Sequence, residues 1–521
     1  MASSLAASAS SSPSHSSNHF CPPSSVLIIG SGVFGLSTAL ALTRRHAFAH
    51  CSITVVDRSD PSQPRAFPSP DAASIDASRI IRADYADHAY TALCNEAQVE
   101  WRKQDKPTDL GAQGRYNETG LILVGDPTPP APAAGQTFQE EDLKPKLTGL
   151  DYARMSWANV QSLAAKDPKL AARIRELSNT DAIRDALGTG GSSGSWGYVN
   201  YNSGWANAAA SMAWCLDRVR ETGRVNLVAG TVVSLEHTED AVTGARLADG
   251  RVLSADLVIV AAGAWTGALV DLAGQAIATA QVLAYVDLTE EEHSKLANMP
   301  VILNLSTGLF IMPPVDRLLK VAKHALGYIN PIQPAHPPLP LRPHSPTTPT
   351  TTPTPVSLPR TSLTDPTLSI PSDAASDLRR ALHEMIPWPS LRDRPFAKTR
   401  LCWYSDTLTA DFLIDYHPNW RGLFVATGDS GHAFKFLPVI GDKIVDRILR
   451  EGPAEFGGKW DWKAKTEALP MRFTQDGSRG NESDNNRRGV RCHLKVGDDV
   501  CHAIIETSLG SCTMSVRSPL A

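Results

Sequence analysis

Charge is missing from the start of this chain: no lysine, arginine, aspartate or glutamate precedes Arg44. The opening stretch therefore lacks the basic region of a secretory signal and the arginines of a transit peptide. A net charge of −4 over 521 residues also provides no basic surface for nucleic acid or an anionic membrane. We expect neither partner, and we predict that the serine-rich residues 1–24 form a disordered tail.

The eight cysteines show no pattern of a metal site. None forms a C-x-x-C pair, and no histidines accompany them at zinc-ligand spacing. The sequence therefore predicts no metal and free thiols in a reducing compartment. The final residues, Ser518-Pro519-Leu520-Ala521, differ from a Ser-Lys-Leu-type peroxisomal signal. We expect a cytoplasmic protein. A peroxisomal location would require import by a route that does not use a Ser-Lys-Leu-type C-terminus.

One uncharged apolar stretch, residues 26–42, has two possible interpretations. As a membrane span it is short at 17 residues, and three glycines within six residues would each destabilise a helix interior by about 1 kcal/mol. The alternative is a strand, a glycine turn and a helix, followed by a second strand that ends at Asp57. The spacing favours this strand–turn–helix–strand unit, which is typical of dinucleotide-binding domains.

The glycine turn has the fingerprint Gly30-Ser31-Gly32-Val33-Phe34-Gly35. The first glycine permits the tight turn, the second permits close approach of a pyrophosphate, and the third permits close helix–strand packing. The N-terminus of the following helix offers free N–H groups to the phosphates. Asp57, 22 residues after Gly35, is predicted to bind the adenosine ribose hydroxyls, with Arg58 beside it.

Further strands are expected to return to the N-terminal sheet. Residues 225–228 and 231–235, which include Val233, are strand-like, and a buried strand ends at Ala262-Gly263. We predict an α/β fold in which a doubly wound Rossmann-type domain is interwoven with an α+β domain built on an antiparallel sheet. The predicted nucleotide domain comprises residues 25–70, 188–265 and 401–455, and the predicted substrate domain comprises residues 71–187 and 266–400.

Two segments are expected to lie outside the core. Residues 331–371 contain 13 of the 38 prolines, so they cannot supply the backbone N–H groups of a core sheet or helix. We predict that most of this segment is an exposed insertion. Residues 475–521 are polar and glycine-rich without clear periodicity, and they are predicted to be a poorly ordered tail.

A second glycine-containing segment lies near the end of the predicted core. A strand at residues 423–427 leads into Gly428-Asp429-Ser430-Gly431-His432-Ala433-Phe434-Lys435, and a helix follows. Gly428 and Gly431 allow backbone to lie against a flat ligand. The helix N-terminus could stabilise negative charge on such a ligand.

With this segment the chain resembles the sarcosine oxidase family of flavoenzymes, which includes sarcosine, pipecolate, saccharopine and fructosyl amino acid oxidases. The matching residues are Gly30–Gly35, Ser78-Arg79-Ile80-Ile81-Arg82, Lys320 with His324, Cys402-Trp403-Tyr404 and Asp429–Pro438. They span residues 25–455 apart from the proline-rich insertion. The resemblance implies an FAD-binding enzyme in which Cys402 bonds covalently to the flavin. Without the motif, Cys402 would be interpreted as a small buried hydrophobic residue.

The resemblance also assigns roles to several side chains. It places Arg82 and Lys435 at the substrate carboxylate, with Tyr404 in the same site. The two-pronged guanidinium and the single ammonium charge together would fix the orientation of the substrate. It places Ser78 and Arg79 on the flavin side. The alternative is that Arg79 and Arg82 only pair with Asp76, Asp84 or Asp87.

Lys320 and His324 match a lysine and a histidine near the flavin face. A cation there would stabilise the charge that develops as oxygen is reduced. The alternative is an exposed basic run, Lys320, Lys323 and His324, on a strand edge or a helix face. The local sequence around Val321 also differs from the family pattern, which affects His324 more than Lys320.

The resemblance implies oxidation of the C–N bond of an N-substituted α-amino acid, with oxygen as acceptor and hydrogen peroxide as product, in a monomeric protein. A fructosyl amino acid oxidase is one alternative. An NAD-dependent dehydrogenase is another, because the glycine fingerprint does not distinguish NAD from FAD. A catalytically silent flavoprotein is a third.

Overall fold

The computed structural model describes residues 21–60, 67–127, 148–343 and 355–464, and three strands between residues 491 and 514. The strands are β1 Ser25–Ile29, β2 Ser52–Asp57, β3 Arg79–Ile81, β4 Tyr116–Asn117, β5 Leu121–Gly125, β6 Ile174–Leu177, β7 Trp196–Asn200, β8 Gly204–Ala206, β9 Val225–Ala229, β10 Val232–His237, β11 Val242–Leu247, β12 Val252–Ser254, β13 Leu257–Val260, β14 Ala276–Asp287, β15 Val301–Asn304, β16 Leu309–Val315, β17 Leu318–Tyr328, β18 Pro331–Ile332, β19 Val356–Ser357, β20 Lys398–Thr407, β21 Leu413–Tyr416, β22 Leu423–Thr427, β23 Arg491–Val496, β24 Asp499–Ser508 and β25 Ser511–Met514.

The α-helices alternate with these strands over most of the described chain. They are α1 Val33–Arg44, α2 His88–Trp101, α3 Gly149–Ala164, α4 Pro168–Ala171, α5 Thr180–Leu187, α6 Ala208–Glu221, α7 Thr266–Leu269, α8 Glu290–Leu296, α9 Ser372–Met385 and α10 Ile440–Leu449. Side chains begin several of these helices: Asp87 caps α2, and the Thr148 hydroxyl with the Asp151 carboxylate forms a capping box on α3.

A six-stranded sheet in the order β21-β22-β13-β1-β2-β9 forms the predicted Rossmann-type core. All of its pairs are parallel except β21–β22. The strands β1 and β13 are apolar on both faces, as strands buried between two layers must be. The predicted return of the strands at residues 225–262 to the N-terminal sheet is confirmed for β9 and β13 and is wrong for β10.

The two faces of this sheet are covered differently. On one face, Ile28 and Val55 belong to a core shared with α1, α6 and α10. On the other face, Leu27 and Val258 pack with residues of the small sheet β10-β11-β12 and of α7. Strand β10 therefore lies in this covering sheet and not in the parallel sheet.

An eight-stranded sheet in the order β20-β14-β17-β16-β15-β5-β7-β6 forms the second core. Only β5 and β15 pair in parallel, so the predicted antiparallel platform is confirmed with one exception. The register places Lys320 between Met312 and Tyr285, and Cys402 beside Gln281. Residues separated by an even number on one strand share a face, so Lys320, Ala322 and His324 point to the same side.

The predicted domain boundaries differ from the structure at two strands. Strand β7 lies in the eight-stranded sheet, although residues 188–265 were assigned to the nucleotide domain. Strand β20 lies there too, although that domain was predicted to resume at residue 401. Local sequence could not reveal this, because pairing with distant strands decides which sheet a strand joins: β7 pairs with β5, and β20 pairs with β14.

The proline-rich insertion is partly integrated into the core, so the expectation of a mostly exposed segment needs correction for its described parts. Leu339 is buried and pairs through backbone with Leu269 and Asp271. The side chain of Trp403 donates to the carbonyl of Arg360 at 2.8 Å. Proline removes donors, but its carbonyl groups and the intervening residues can still bond to neighbouring elements. Residues 344–354 lie outside the described residues.

The C-terminal segment was predicted to be poorly ordered, but the structure describes strands β23, β24 and β25 within it, paired antiparallel. β-branched residues such as Val496 and Val500 favour extended backbone. The remaining residues after 464 and the predicted tail at residues 1–20 lie outside the described residues.

Candidate active site

The glycine turn after β1 is shaped by backbone packing on two sides and by open space on a third. Gly30 has φ of +108°, and a Cβ atom there would collide with the backbone of Ala261. A Cβ atom at Gly35 would collide with the carbonyl of Gly30. A Cβ atom at Gly32 would meet nothing within 4 Å. Gly30 and Gly35 thus pack the helix against the sheet, whereas Gly32 leaves room for a ligand.

A large cavity begins at this turn. Most of the predicted cofactor residues line it: Gly30, Gly32, Val33, Phe34, Asp57, Arg58, Arg79, Ala262, Gly263, Asp429, Gly431 and Phe434. Val232 lines it as well, whereas the predicted Val233 does not, because neighbouring strand residues point to opposite faces. Gly35, Ser78, Gly428 and Ser430 support the surrounding backbone without lining this cavity.

Asp57 and Arg58 shape the far end of the large cavity. The Asp57 carboxylate accepts backbone N–H groups from Ser31 and Ser59, both at 2.8 Å, and so holds the glycine turn against the end of β2. The guanidinium of Arg58 pairs with Asp71 at 2.7 Å and lies 4.0 Å from the ring centroid of Trp265. Both side chains are therefore fixed at the position predicted for the adenosine.

A small cavity adjoins the large one. Arg79, Gly431 and Phe434 line both cavities, so the two meet at these residues. The predicted Arg82, Lys320, His324, Cys402, Tyr404, His432 and Lys435 line the small cavity. The structure therefore brings the predicted substrate-binding and catalytic residues together at one end of the predicted cofactor site.

Asp76 is the centre of a buried ionic cluster at this junction. Its carboxylate lies 3.0 Å from the ammonium of Lys320, 2.6 Å from Arg400 and 3.2 Å from Arg79. Lys320 also donates to the carbonyl of Ser78 at 2.9 Å. Lys320 is therefore a buried residue in mid-sheet, and the alternative of an exposed basic run is wrong for this side chain.

The pKa values in this cluster are coupled. Burial alone would raise the pKa of Asp76, but Lys320, and then Arg400 and Arg79, hold it well below its usual value. Burial lowers the pKa of Lys320, and the Asp76 carboxylate opposes that change. Asp76 therefore keeps a positive charge on a buried lysine, which would otherwise favour its neutral form.

Arg79 connects this cluster to Cys402. One guanidinium nitrogen lies 3.1 Å from Cys402 Sγ, and the pair is screened from water because Cys402 is buried. Positive charge beside a sulfur is the setting in which cysteines react as thiolates. The Arg79 Nε atom is buried and has no hydrogen-bond partner among the described residues, so one donor of this side chain is unused.

Arg82 and Lys435 line the same small cavity as the ionic cluster. Lys435 donates to the Tyr85 hydroxyl at 3.0 Å and to the carbonyl of His432 at 3.1 Å. Arg82 donates to the carbonyl of Asp84 and stands 5.2 Å from the centroid of the Tyr85 ring. Tyr85 therefore fixes both cations.

His432 completes this arrangement. Its Nε2 donates to the carbonyl of Ala410 at 3.0 Å, and its Nδ1 lies 3.0 Å from the Tyr85 hydroxyl. Because the Tyr85 oxygen accepts from Lys435, its own proton is directed to Nδ1. The Ala410 carbonyl can only accept, so Nε2 carries a proton, and the network fixes the hydroxyl that orients Lys435.

The loop after β22 joins the glycine segment to the strand that carries Cys402. Asp429 accepts the backbone N–H of Ser405 at 2.9 Å. Burial, reinforced by the Asp406 carboxylate, raises the pKa of Asp429 to about 6, although the Ser405 N–H opposes this. Ser430 bonds to the backbone of Thr407, which belongs to the same strand. The glycine loop and β20 are therefore fixed relative to each other.

The large cavity fits the predicted FAD by its chemistry. Helix α1 has no side-chain cap and no acidic residue in its first turn, so its N-terminal N–H groups remain available to a pyrophosphate beside Gly32. The unused Arg79 donor lies at the other end, where the flavin would be.

Sequence reasoning missed three residues of the site: Asp76 as an organising carboxylate, Arg400 as its partner, and Tyr85 between the two cations. Asp76 was considered only as an alternative partner for Arg79. The sequence indicates only that Asp76 lies three residues before Arg79. The role of Asp76 depends on Lys320 and Arg400, which are 244 and 324 residues away from it.

Two structural searches complete the description. Among the described residues, no group of three or more histidine, cysteine, aspartate or glutamate side chains is arranged to hold a metal ion. In the same part of the chain, every helix is too short or too polar to cross a membrane.

Comparison with known proteins agrees with this geometry. Residues 25–447 match the family described as DAO, FAD dependent oxidoreductase. The amino acid oxidase imqH of Aspergillus flavus is 33% identical over 473 residues, which cover 83% of this chain and 95% of that protein. The L-saccharopine oxidase of Schizosaccharomyces pombe is 30% identical, and the match covers 86% of this chain and 95% of that protein. The crystal structure of fructosamine oxidase from Aspergillus fumigatus (Amadoriase II) superposes with a TM-score of 0.67 at 28% identity, covering 88% of this chain and 94% of that one.

Proposed function

Because this chain belongs to the DAO family of FAD-dependent oxidoreductases, we propose that it oxidises the C–N bond of an α-amino acid that carries a secondary amine. The observation that carries the proposal is the junction of the two cavities at Arg79, Gly431 and Phe434. A substrate in the small cavity would lie against the flavin end of a cofactor in the large one.

The chemistry that FAD supplies when bound is acceptance of a hydride from the carbon beside the amine nitrogen and its transfer to oxygen, which gives hydrogen peroxide. The side chains of this chain would orient the reactants. Arg82 and Lys435 would bind the substrate carboxylate, and Tyr404 would border the amine. Lys320 would place a positive charge where oxygen is reduced, with Asp76 maintaining that charge.

Residues Gly30–Gly35, Asp57 and Arg58 would hold the dinucleotide, with Ala262 and Gly263 on its second side. Gly428–Gly431, His432 and Phe434 would surround the flavin ring, with Ser78 and Arg79 on its edge. The NAD-dependent alternative does not agree with the family match. A monomeric state and a cytoplasmic location stay predictions.

The purified protein should test this directly. We expect visible flavin absorbance, bleaching of that absorbance when N-methyl amino acids are added without oxygen, and peroxide release when oxygen is readmitted. Primary amino acids with the same side chains serve as controls. If no secondary amine in such a panel bleaches the flavin, the proposed reaction is wrong, although the cofactor assignment would stand.

A fructosyl amino acid substrate is the second candidate, because the fructosamine oxidase structure superposes on most of this chain. The chemistry would be the same and the amine would carry a sugar. Including an N-fructosyl amino acid in the same panel separates the two candidates.

Covalent attachment of FAD through Cys402 is part of the proposal. Its support is the Arg79 guanidinium 3.1 Å from Cys402 Sγ, at the border of the two cavities. We expect wild-type protein to stay yellow after acid precipitation, and its intact mass to exceed that of the chain by one FAD. Cys402→Ser should release its flavin on denaturation, whereas Cys215→Ala, a change at a buried cysteine on α6, should not. Flavin set free from wild-type protein by acid would contradict the attachment.

A further inference from the structure

One wall of the small cavity is apolar and belongs entirely to the eight-stranded sheet. Leu283, Leu303, Phe310 and Met312 line it, and each is almost fully buried. They come from β14, β15 and β16 and pack in one cluster with Cys402 and Tyr404. Three strands of one sheet therefore present an apolar surface in the cavity that also holds the cations that would bind the carboxylate.

Three rings follow one another along this wall. The ring centroids of Phe310 and His324 are 4.8 Å apart, and those of His324 and Tyr404 are 5.6 Å apart. The ring pairs are tilted by 59° and 45°, so faces and edges are both presented to the cavity. Aromatic rings prefer such edge-to-face and offset contacts with a further ring.

The charges of the cavity do not suit a substrate with a second carboxylate. Lys320 and Arg79 are paired with Asp76, and Lys323 is paired with Asp377 at 2.8 Å. A second carboxylate would compete with these protein carboxylates. It would also lose its hydration against the apolar wall.

The wall is equally unsuited to a sugar. Gln281 pairs with Cys402 across the strands and carries a side-chain amide. Both ends of this amide are already hydrogen-bonded: its oxygen accepts the Ala325 N–H at 3.0 Å, and its nitrogen donates to Thr279 at 3.3 Å. Each sugar hydroxyl turned toward Leu303 or Met312 would be left without a partner, which destabilises binding.

We propose that the substrate is an N-alkyl α-amino acid with one carboxylate and an apolar side chain, with an aromatic ring preferred, and that Phe310 is a specificity-determining residue. This inference rests on the proposed function and narrows its substrate class.

The test uses the purified holoenzyme and measures flavin bleaching without oxygen. The probes are N-methylphenylalanine, N-methylleucine, sarcosine, N-methylglutamate and an N-fructosyl amino acid. We expect kcat/KM for N-methylphenylalanine to exceed that for sarcosine by about 10–100-fold, the ratio that burial of one aromatic side chain supplies. N-methylleucine should lie between them.

Two variants on β16 locate the effect. Phe310→Ala should lower kcat/KM for N-methylphenylalanine by about 10-fold and leave that for sarcosine within about twofold. Ile311→Val alters the opposite face of the same strand, which packs in the other cluster, and should change both substrates alike. Flavin content and melting temperature show whether each variant folds. If Phe310→Ala does not fold, Phe310→Leu takes its place in the test.

The outcomes separate the two levels of the proposal. If sarcosine, N-methylglutamate or the fructosyl compound is the best substrate, the substrate class is overturned while the proposed function stands. Equal losses on both substrates in Phe310→Ala would also overturn the role of this wall. If no secondary amine bleaches the flavin, the proposed function fails and this inference fails with it.

Discussion

Replacing Lys320 with methionine is expected to slow the reaction of the reduced enzyme with oxygen by about 10²–10³-fold, the typical effect of removing one preorganised charge that acts on a charged transition state. The Lys320 ammonium is buried at the cavity junction and held by Asp76 and the carbonyl of Ser78 at 3.0 and 2.9 Å. Methionine keeps the length of the side chain, and Asp76 keeps two guanidinium partners, so the fold should be retained.

Stopped-flow measurement of the two half-reactions separates the effect from damage to the site. Anaerobic flavin reduction by substrate should change by less than about threefold in Lys320→Met, because the carboxylate-binding cations are untouched. Lys295→Met is the control: it removes the same charge from helix α8, where Lys295 is paired with Glu291 and lines neither cavity. Both half-reactions slowing together, or no change in reoxidation, would contradict the role of Lys320.

The Asp76 cluster explains why Lys320 can perform this role. A buried lysine loses its proton unless a nearby carboxylate stabilises its charge. Asp76 supplies that charge, and two arginines keep Asp76 itself ionised, so the cluster as a whole carries excess positive charge. The structure thus places a lysine whose charged form is favoured by Asp76 at the cavity junction, in a buried position.

The nucleotide-binding half of the site could be predicted from sequence because its residues are close in the chain. The glycine turn and Asp57 lie within one strand–helix–strand unit, and steric rules assign each glycine its place. The three Cβ positions at Gly30, Gly32 and Gly35 agree with those assignments.

The substrate side was predictable only through family resemblance. Lys320 and His324 are four residues apart, a spacing that suits a helix face as well as one face of a strand. The choice depends on pairing with β14 and β16, which the local sequence does not encode. Asp76, Tyr85 and Arg400 acquire their roles from partners more than 200 residues away, so no motif marks them.

Lys435→Met is expected to lower kcat/KM for carboxylated secondary amines by about 30–100-fold, the effect of losing one charge-assisted contact of about 2–3 kcal/mol. Lys435 and Arg82 line the small cavity together, and Tyr85 fixes both of them. The Arg82 guanidinium can bind a carboxylate with two N–H groups, and the Lys435 ammonium adds a single charge. Together they orient the amine carbon of the substrate toward the flavin end.

Comparing matched substrates isolates this contact. N-methylphenethylamine has the amine and ring of N-methylphenylalanine without its carboxylate, so Lys435→Met should change its turnover by less than about threefold. Arg82→Lys keeps the charge but loses the fork, and it should give an intermediate loss on the carboxylated substrate alone. Lys443→Met removes a lysine that pairs with Glu96 on the helical side and serves as control. Because a carboxylate contact can only affect substrates that possess one, equal losses on the two compounds would mean that Lys435 shapes the cavity and does not bind the carboxylate.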